Sequence, residues 1–358
     1  MDPAWTGERA TSRPGVAASR AMTMHLSIVI PTFNRAGLLG LTVPALADQQ
    51  TQDFTYDVIL VNNGSSDNSD AVLRAAAERY PGTVRCFSIA PTGGPSAPRN
   101  VGIRAATGDV VIILDDDVLP DRDLVLRHAE FHRRYPEQHH AAVGEAYVPA
   151  QTLGDPMSVF HTFPYDEVRA LDRLSYLHFW TCHVSVKRQF MLDAGMFDER
   201  FLGYEDMLSG YNLARHGMHL HFLPAARGQH LHQLKPSGIP AKGRWYGRWL
   251  YTFVEQLPDP AVKKRFGILS PDIGLLTLGR RLLNRLAFRI VDNPVTLAGL
   301  ECLGARGSKR TRITDAYYFL IFRRNVLAGY YEAKRLARAS RQPAVAHAAS
   351  EWVDRGES

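Results

Sequence analysis

The sequence predicts an α/β fold in which a mostly parallel sheet is flanked by helices, followed by a helical C-terminal extension. Three observations predict it. Strand-like apolar runs alternate with helix-like segments about every 25 residues in the first third of the chain. Three acidic residues follow directly on one apolar run, and beyond residue 240 helix-like patterns predominate.

The alternating elements can be assigned in chain order. Each predicted strand is a short apolar run ended by proline, glycine or polar residues, and each predicted helix begins after such a turn. The predicted strands are 26–30, 57–62, 84–89 and 110–114, and the helices between them are 36–49, 67–80 and 96–106. Right-handed crossovers make such a sheet parallel, and ligands bind at the carboxyl ends of its strands.

After residue 117 the alternation becomes irregular. Helices are predicted over 121–135, 205–216 and 311–339, and strands over 182–186 and 219–223. We therefore divide the chain into a disordered leader (1–24), an α/β domain (25–240) and a mostly helical region (241–358).

Composition indicates a globular protein with one large domain and an appended region. The chain has 358 residues, of which 45% are hydrophobic and 22% charged. No apolar run predicts a membrane span, and the leader lacks the apolar segment of a secretory signal. Three cysteines without metal-like spacing favour a reducing cytoplasm.

Positive charge is concentrated in the C-terminal region. Residues 241–358 contain 21 Lys and Arg against 10 Asp and Glu, a net charge of +11, which leaves −5 for residues 1–240. Such a surface suits peripheral contact with the anionic inner face of a membrane, or a homodimer. We expect no nucleic-acid binding, because the basic region is its only sequence signal.

An acidic triplet, Asp115, Asp116 and Asp117, follows the apolar run 110–114. Like charges clustered at a strand end repel one another unless a cation compensates them. Carboxylate oxygens suit Mg²⁺ and Mn²⁺, which often share them with substrate phosphates. The triplet favours a divalent cation and a phosphate-bearing ligand, with a solvated acidic turn as the alternative.

A series of motifs resembles the family 2 glycosyltransferases, which are inverting enzymes of the Rossmann-like GT-A fold. The motifs are 26–35 (LSIVIPTFNR), 61–67 (VNNGSSD), 98–102 (PRNVG), 114–117 (LDDD), 197–198 (FD), 203–206 (GYED) and 224–230 (PAARGQH). The resemblance implies a catalytic domain over 25–240. It also implies transfer from a UDP- or dTDP-linked sugar to a hydroxyl of an acceptor that is a glycan, a lipid-linked molecule or a small molecule.

The resemblance assigns donor and metal residues by position. The implied donor-binding residues are Pro31, Thr32, Arg35 and Asn63 at the base, and Arg99, Asn100, Asp115 and Asp116 at the ribose and phosphates. The implied ligands of a Mn²⁺ or Mg²⁺ ion are Asp115, Asp117 and His230, with His232 as an alternative to His230. Asn63 stands where the family usually has an Asp, and its amide oxygen can still accept a base N–H.

The resemblance also assigns the acceptor side. Displacement at the anomeric carbon needs a stabilised leaving diphosphate and a base for the acceptor proton. Asp206 is the implied base and Glu205 the supporting acid. The alternative is that both acids only stabilise a helix N-terminus. Leu208 and Asn212 replace residues that are often an acid and an Arg in the family, which bears on the acceptor.

For the other histidines and aromatic residues, the sequence favours structural roles over functional ones. His128 and His132 would share a helix face, and without an HExxH pattern we interpret that face as solvated. His183 lines the acceptor pocket or packs in the sheet. Core packing is favoured over a sugar platform for Tyr165, Phe179 and Trp180. Attachment of a helical subdomain is favoured over a membrane anchor for Trp245, Trp249 and Tyr251.

Two other functions compete with sugar transfer. A sugar-phosphate nucleotidyltransferase would need a Gly-rich basic loop after the first strand, where 31–35 (PTFNR) stands instead. A catalytically silent nucleotide-sugar or glycan-binding protein would lack Asp117, Asp206 or His230, and all three are present. A dehydrogenase is disfavoured because no GxGxxG follows the first strand.

Overall fold

The computed structural model describes residues 23–161, 163–171, 173–231, 234–257, 259–266, 293–303 and 309–340. Within these ranges a mixed sheet is flanked by helices. Its strands are β1 (Met24–Thr32), β2 (Phe54–Asn62), β3 (Val84–Ser88), β4 (Val110–Leu114), β5 (Val118–Pro120), β6 (His140–Tyr147), β7 (His183–Lys187) and β8 (His219–His230). The helices are α1 (Ala36–Ala47), α2 (Ser69–Arg79), α3 (Ser96–Ala105), α4 (Leu124–Arg134), α5 (Tyr165–Arg169), α6 (Arg188–Asp193), α7 (Glu205–Arg215), α8 (Ile239–Gln256), α9 (Pro260–Arg265), α10 (Pro294–Cys302) and α11 (Arg312–Ser340). Residues 1–22 of the predicted leader lie outside the described residues.

The strand order is β3-β2-β1-β4-β7-β6-β8-β5. The first four strands pair in parallel, which confirms the predicted βαβ half of the sheet. In the second half β7 is antiparallel to β4 and β6, β8 is parallel to β6, and β5 is antiparallel to β8. The sheet is therefore mixed, and all of its antiparallel pairings involve strands that follow the acidic triplet.

Buried apolar strands form the centre of the sheet. Every residue of β4 is fully buried, as are Leu26 and Ile28–Ile30 of β1. Such strands are covered on both faces, which explains why they are continuous apolar runs rather than alternating patterns. Since β1, β2 and β4 are parallel, their carboxyl ends meet at one edge, where the predicted donor residues stand.

The two long C-terminal helices, α8 and α11, pack side by side with their backbones in close contact. A Cβ added at Gly247 would lie 2.0 Å from the Val326 carbonyl oxygen, and one added at Gly329 would lie 2.0 Å from the Arg244 carbonyl oxygen. Only residues without a side chain permit this approach. Among the described residues, no helix combines the length and apolar composition that crossing a bilayer requires.

A second hydrophobic core joins these helices to the α/β domain. It contains Trp249 and Phe253 of α8, Phe201, and Leu208 of α7. The predicted boundary between residues 240 and 241 falls in the first turn of α8. The helical region is thus packed on the segment that leads into α7.

Candidate active site

The acidic triplet lies at the carboxyl end of β4. The turn is fixed by hydrogen bonds from the Asp115 N–H to the Cys182 carbonyl (3.2 Å) and from the Val118 N–H to the Asp115 carbonyl (3.2 Å). Asp116 and Asp117 are each 8% exposed, whereas the Asp115 side chain is 32% exposed. The solvated acidic turn that the sequence left open does not describe this segment, because two of the three carboxylates are buried.

Asp116 ties the acidic turn to the end of β1. Its Oδ2 accepts a hydrogen bond from Thr32 Oγ1 at 2.5 Å, and Arg35 Nε lies 3.8 Å from its Oδ1. Burial, followed by the charge of Asp117, raises the pKa of Asp116 to about 8. Three predicted donor-side residues, Asp116, Thr32 and Arg35, are therefore in contact.

Asp117 and His230 lie together where β5 pairs with β8. The two strands place Val118 opposite His230, and His230 Nε2 lies 3.5 Å from Asp117 Oδ1. Their side chains are 11% and 10% exposed. The alternative ligand His232 lies outside the described residues, so the structure does not compare the two histidines.

The chemistry of these side chains fits a divalent cation. Asp117 and His230 offer a carboxylate and an imidazole side by side, and Asp115 lies two residues before Asp117 in the same turn. Donors of these types suit Mn²⁺ or Mg²⁺. Burial raises the pKa of Asp115, Arg99 opposes that rise, and the charge of Asp117 adds to it. A bound cation would relieve this repulsion. In the part of the chain that the structure describes, no group of three His, Cys, Asp or Glu side chains is arranged to hold one metal ion.

Arg99 of α3 links the acidic turn to the start of α7. Its guanidinium is 3% exposed and donates to Asp115 Oδ1 at 2.9 Å and to Glu205 Oε1 at 2.8 Å. Its Nε is buried and makes no hydrogen bond to the described residues. The sequence predicted Arg99 near the nucleotide. The structure places it between Asp115, which the resemblance assigns to the donor, and Glu205, which the resemblance assigns to the acceptor side.

Asn100 is held within the protein. Its Oδ1 accepts from the Phe197 N–H at 3.0 Å, while its Nδ2 donates to the Phe197 carbonyl at 2.9 Å and to Glu199 Oε1 at 2.8 Å. These bonds fasten α3 to the segment that precedes α7. A direct contact of Asn100 with the donor stays a prediction.

Asn63 organises the loop that follows β3. Its Oδ1 accepts from the Thr92 N–H (3.1 Å) and hydroxyl (2.9 Å), and its Nδ2 donates to the Gly94 carbonyl at 3.2 Å. Pro31, also predicted at the base, is partly exposed near the end of β1. Base recognition by Asn63 and Pro31 likewise stays a prediction.

Glu205 and Asp206 occupy the first turn of α7. The preceding residue, Tyr204, has left-handed backbone angles (φ 60°, ψ 17°), an unfavourable conformation for a residue with a side chain. Asp206 Oδ1 accepts from the Met207 N–H at 2.7 Å. Burial, followed by the charge of Glu205, raises the pKa of Asp206 to about 7. A carboxylate with this pKa suits proton removal near neutral pH.

Helix α8 lies directly against the chain that enters α7. A Cβ added at Gly203 would lie 2.9 Å from the Trp245 ring, and the Tyr204 ring stacks on Phe253 with 5.3 Å between centroids. Trp249 is fully buried in this contact region. The interpretation of the α8 aromatics as an attachment to the α/β domain is confirmed. Their position beside the predicted base was not foreseen, although the aromatic run in α8 was a visible signal.

The interpretation of His128 and His132 as a solvated face is wrong. Both are fully buried because α4 packs this face against β7. His128 Nε2 lies 2.9 Å from His183 Nε2, and Ser185 Oγ contacts both helical histidines. His183 is fully buried, so it packs in the sheet. Core packing is confirmed for the buried aromatics Tyr165, Phe179 and Trp180.

Comparison with known proteins identifies the class of fold. The structure is similar to the mannosyltransferase PcManGT from Pyrobaculum calidifontis, solved in complex with GDP-Man and Mn²⁺. The TM-score is 0.58 at 15% sequence identity, and the match covers 87% of this chain and 88% of that chain. The likeness confirms the predicted GT-A fold with its helical C-terminal region.

Sequence comparison matches most of the α/β domain to a known family. Residues 27–191 match the model described as glycosyl transferase family 2. Validoxylamine A glucosyltransferase of Streptomyces hygroscopicus subsp. jinggangensis (strain 5008) is 29% identical over 224 residues, covering 54% of this chain and 52% of that protein. Chondroitin synthase of Pasteurella multocida (strain Pm70) is 26% identical over 240 residues, covering 57% of this chain and 24% of that protein. The chain spans about half the length, or less, of these relatives, and its residues 27–191 belong to a family 2 glycosyltransferase domain.

Proposed function

We propose that the protein transfers a sugar from a UDP- or dTDP-linked donor to an acceptor hydroxyl, with inversion at the anomeric carbon. The observation that carries the proposal is the Arg99 bridge. It joins Asp115, on the donor side, to Glu205, the neighbour of the predicted base Asp206. The relative named as a glucosyltransferase supports a hexosyl donor.

The proposed reaction is a single displacement. Asp206 takes the proton of the acceptor hydroxyl, whose oxygen attacks the anomeric carbon from the side opposite the diphosphate. The bond between that carbon and the diphosphate oxygen breaks, and its electron pair leaves with the diphosphate. Glu205 and Arg99 position the base by fixing the first turn of α7.

Three residues are proposed to hold a divalent cation. Asp115, Asp117 and His230 would bind Mn²⁺ or Mg²⁺, which would neutralise charge on the leaving diphosphate. The neighbouring contacts among Asp116, Thr32 and Arg35 would shape the nucleotide site. The mannosyltransferase with the similar fold was solved with Mn²⁺, which supports this assignment.

Donor hydrolysis tests the proposal without knowledge of the acceptor. Release of nucleoside diphosphate from a panel of UDP-, dTDP- and GDP-linked hexoses would be measured with and without chelator, with NMR of the released sugar for its anomeric configuration. Chelation should abolish release, and Mn²⁺ or Mg²⁺ should restore it. Asp117→Asn should weaken donor and metal binding together, whereas Asp166→Asn on the exposed face of α5 should change neither.

Two outcomes would contradict the assignment. Full activity in excess chelator would show that the acidic turn holds no required metal. Binding of a nucleotide-sugar without any release by the wild-type protein would favour the catalytically silent binding protein.

The outward face of α11 supports a proposed association with an anionic membrane. Arg312, Arg335 and Arg338 are exposed there, together with Phe319 at 58% and Tyr331 at 48% exposure. Cations interleaved with aromatic rings suit the interface of an anionic bilayer. A homodimer through the same face is the alternative.

A further inference from the structure

The wall beside the predicted base is built partly from α8, outside the residues that match the family model. Gly203 leaves room for the rings of α8, because an added Cβ would lie 3.1 Å from Trp249 Cβ and 2.9 Å from the Trp245 ring. The α8 backbone is held in turn by its close contact with α11 at Gly243 and Gly247. The position of α8 relative to α7 is therefore fixed by packing on both of its sides.

Tyr246 of α8 lies against Tyr204, the residue that directly precedes the two carboxylates at the start of α7. Its ring meets the Tyr204 ring edge-on, with 5.8 Å between centroids and 80° between planes. Burial, followed by the charges of Glu205, Asp206 and Asp115, raises the pKa of the Tyr246 hydroxyl. The side chain is partly exposed, and its hydroxyl makes no hydrogen bond to the described residues. A partly exposed tyrosine with an unbonded hydroxyl thus packs against the residue that precedes Glu205 and the predicted base Asp206.

We propose that Tyr246 binds the acceptor, and that the acceptor presents a hydroxylated ring, a pyranose or a cyclitol. Such a ring has an apolar C–H face that packs against an aromatic side chain, and a polar rim of hydroxyls. Tyr246 would cover the apolar face and hydrogen-bond one hydroxyl, while Asp206 takes the proton of the reacting hydroxyl. Tyrosine supplies rigid amphipathic contact area at a low cost in conformational entropy. The inference rests on the proposed function, because it requires Asp206 to face the acceptor.

The test separates acceptor binding from donor chemistry in the full-length protein. Nucleotide release from the hydrolysed donor would be measured in water alone and with added polyols. The ring polyols are methyl β-D-glucopyranoside, methyl α-D-mannopyranoside and myo-inositol, and the acyclic controls are glycerol and ribitol. Variants are Tyr246→Ala, which removes ring and hydroxyl, and Tyr246→Phe, which removes the hydroxyl alone. Tyr251→Phe is the matched control, since Tyr251 lies on α8 but packs on Tyr330 of α11.

A ring polyol should accelerate nucleotide release by the wild-type protein above the rate in water. Tyr246→Ala should raise the KM for that polyol about tenfold or more, and Tyr246→Phe by less, while release in water stays within about twofold. Tyr251→Phe should match the wild type in both assays. A change in acceptor KM with unchanged hydrolysis is a result that a purely structural role of Tyr246 does not produce.

Several results would overturn the inference. An unchanged acceptor KM in Tyr246→Ala would remove Tyr246 from the acceptor site. Equal loss of hydrolysis and of thermal stability in both Tyr246 variants would assign the residue to folding. Acceleration by acyclic polyols alone, or by none of the polyols, would reject the ring acceptor. If the wild-type protein hydrolysed no nucleotide-sugar, the proposed function itself would fail, and the assay in water alone reports that separately.

Discussion

At the scale of single residues, the sequence motifs name side chains that lie near one another in the fold, but they do not predict which partner each one contacts. The motifs bring Asp115, Asp117, Glu205 and Asp206 to one edge of the sheet, as the resemblance implies. The bond between Arg99 and Glu205 joins residues 106 positions apart, and no local pattern signals such a pair. Contacts of this kind follow from the meeting of two elements in the folded chain, so they require the structure.

Asp206 should control the pH dependence of sugar transfer. Its pKa of about 7 is set by burial and Glu205, with opposing effects from the Met207 N–H and Arg99, and with Asp115 adding to the rise. Only the deprotonated form accepts a proton, so kcat/KM for donor hydrolysis or transfer should fall as pH drops below about 7. Asp206→Asn should lower kcat by about 10²–10⁴-fold and remove this limb of the profile.

The groups near Asp206 should not titrate in the pH range of this activity profile. Tyr204, Tyr246 and Cys182 also interact with its charge, and all three are neutral near pH 7 because burial raises their pKa values further. They should therefore add no titration in this range. Near-normal turnover of Asp206→Asn with Glu205 intact, or a retained anomeric configuration, would show that the base or the mechanism is assigned wrongly.

Arg99 should contribute to stability as well as to catalysis. Arg99→Met would leave Glu205, 12% exposed, and Asp115, 32% exposed, without their cation. Removing one partner of a buried ion pair typically costs 3–5 kcal/mol, and the exposure of Asp115 reduces the expected loss to about 3 kcal/mol. Urea unfolding should show this loss, and it should shrink in Arg99→Met with Glu205→Gln. If the losses of unfolding free energy in Arg99→Met and Glu205→Gln simply add in the double variant, Arg99 and Glu205 are not energetically coupled.

At the scale of elements, continuous apolar runs were predicted well, whereas a three-residue strand and an Ala-rich strand were missed. The runs of β1, β2 and β4 are buried on both faces, so burial and pattern agree. Strand β5 has only three residues, and β6 (HAAVGEAY) is rich in alanine, a weak strand former, so neither was predicted. On α4 the imidazoles of His128 and His132 face Ser185 of β7, and polarity alone could not distinguish this buried face from a solvated one.

The buried histidines between α4 and β7 should make stability depend on pH. Burial lowers the pKa of His128 and His132 well below the usual value, and that of His183 to about 3. The unfolded chain binds protons near pH 6.5 while the folded protein does not. Stability from these groups is thus full above pH 6.5 and is lost as pH falls below that value, down to about 3 for His183. Each group that stays neutral in the folded protein removes about 1.4 kcal/mol per pH unit once the unfolded chain is protonated.

Urea unfolding across pH 5 to 7, with histidine variants, checks this prediction. His132→Gln should lower the slope of unfolding free energy against pH by about one proton, whereas His216→Gln on the exposed end of α7 should leave it unchanged. The raised pKa values of Asp116 and Asp206 act in the opposite direction, so the difference between variants is more informative than the absolute slope. Equal slopes of unfolding free energy against pH in the wild type, His132→Gln and His216→Gln would contradict the predicted role of the buried histidines.

At the scale of the whole molecule, the C-terminal helices pack on the α/β domain with one side and expose positive charge on another. The inner side of α8 covers the entry to α7, which explains why Leu208 stands where the family often has an acid: it is 7% exposed in the core shared with Trp249. The outer side of α11 carries positive charge. On α11 the acids Asp315 and Glu332 are paired with Arg310 and Arg248, so they do not neutralise the outward arginines.

The outward face of α11 should bind anionic vesicles in a salt-dependent way. Each Arg near an anionic surface contributes about 1 kcal/mol, so Arg335→Glu with Arg338→Glu should weaken binding to phosphatidylglycerol-containing vesicles about 30-fold or more. Arg74→Glu with Arg79→Glu on the exposed side of α2 changes the net charge equally and should have little effect. Binding should weaken as the salt concentration rises from about 0.05 to 0.5 M, because the Debye length shortens.

Light scattering of the same variants tests the alternative, a homodimer through this face. If the wild-type protein is a dimer and the double variant Arg335→Glu with Arg338→Glu is a monomer, the face binds a second copy of the chain. A wild-type monomer that ignores anionic vesicles at low salt would exclude both forms of association.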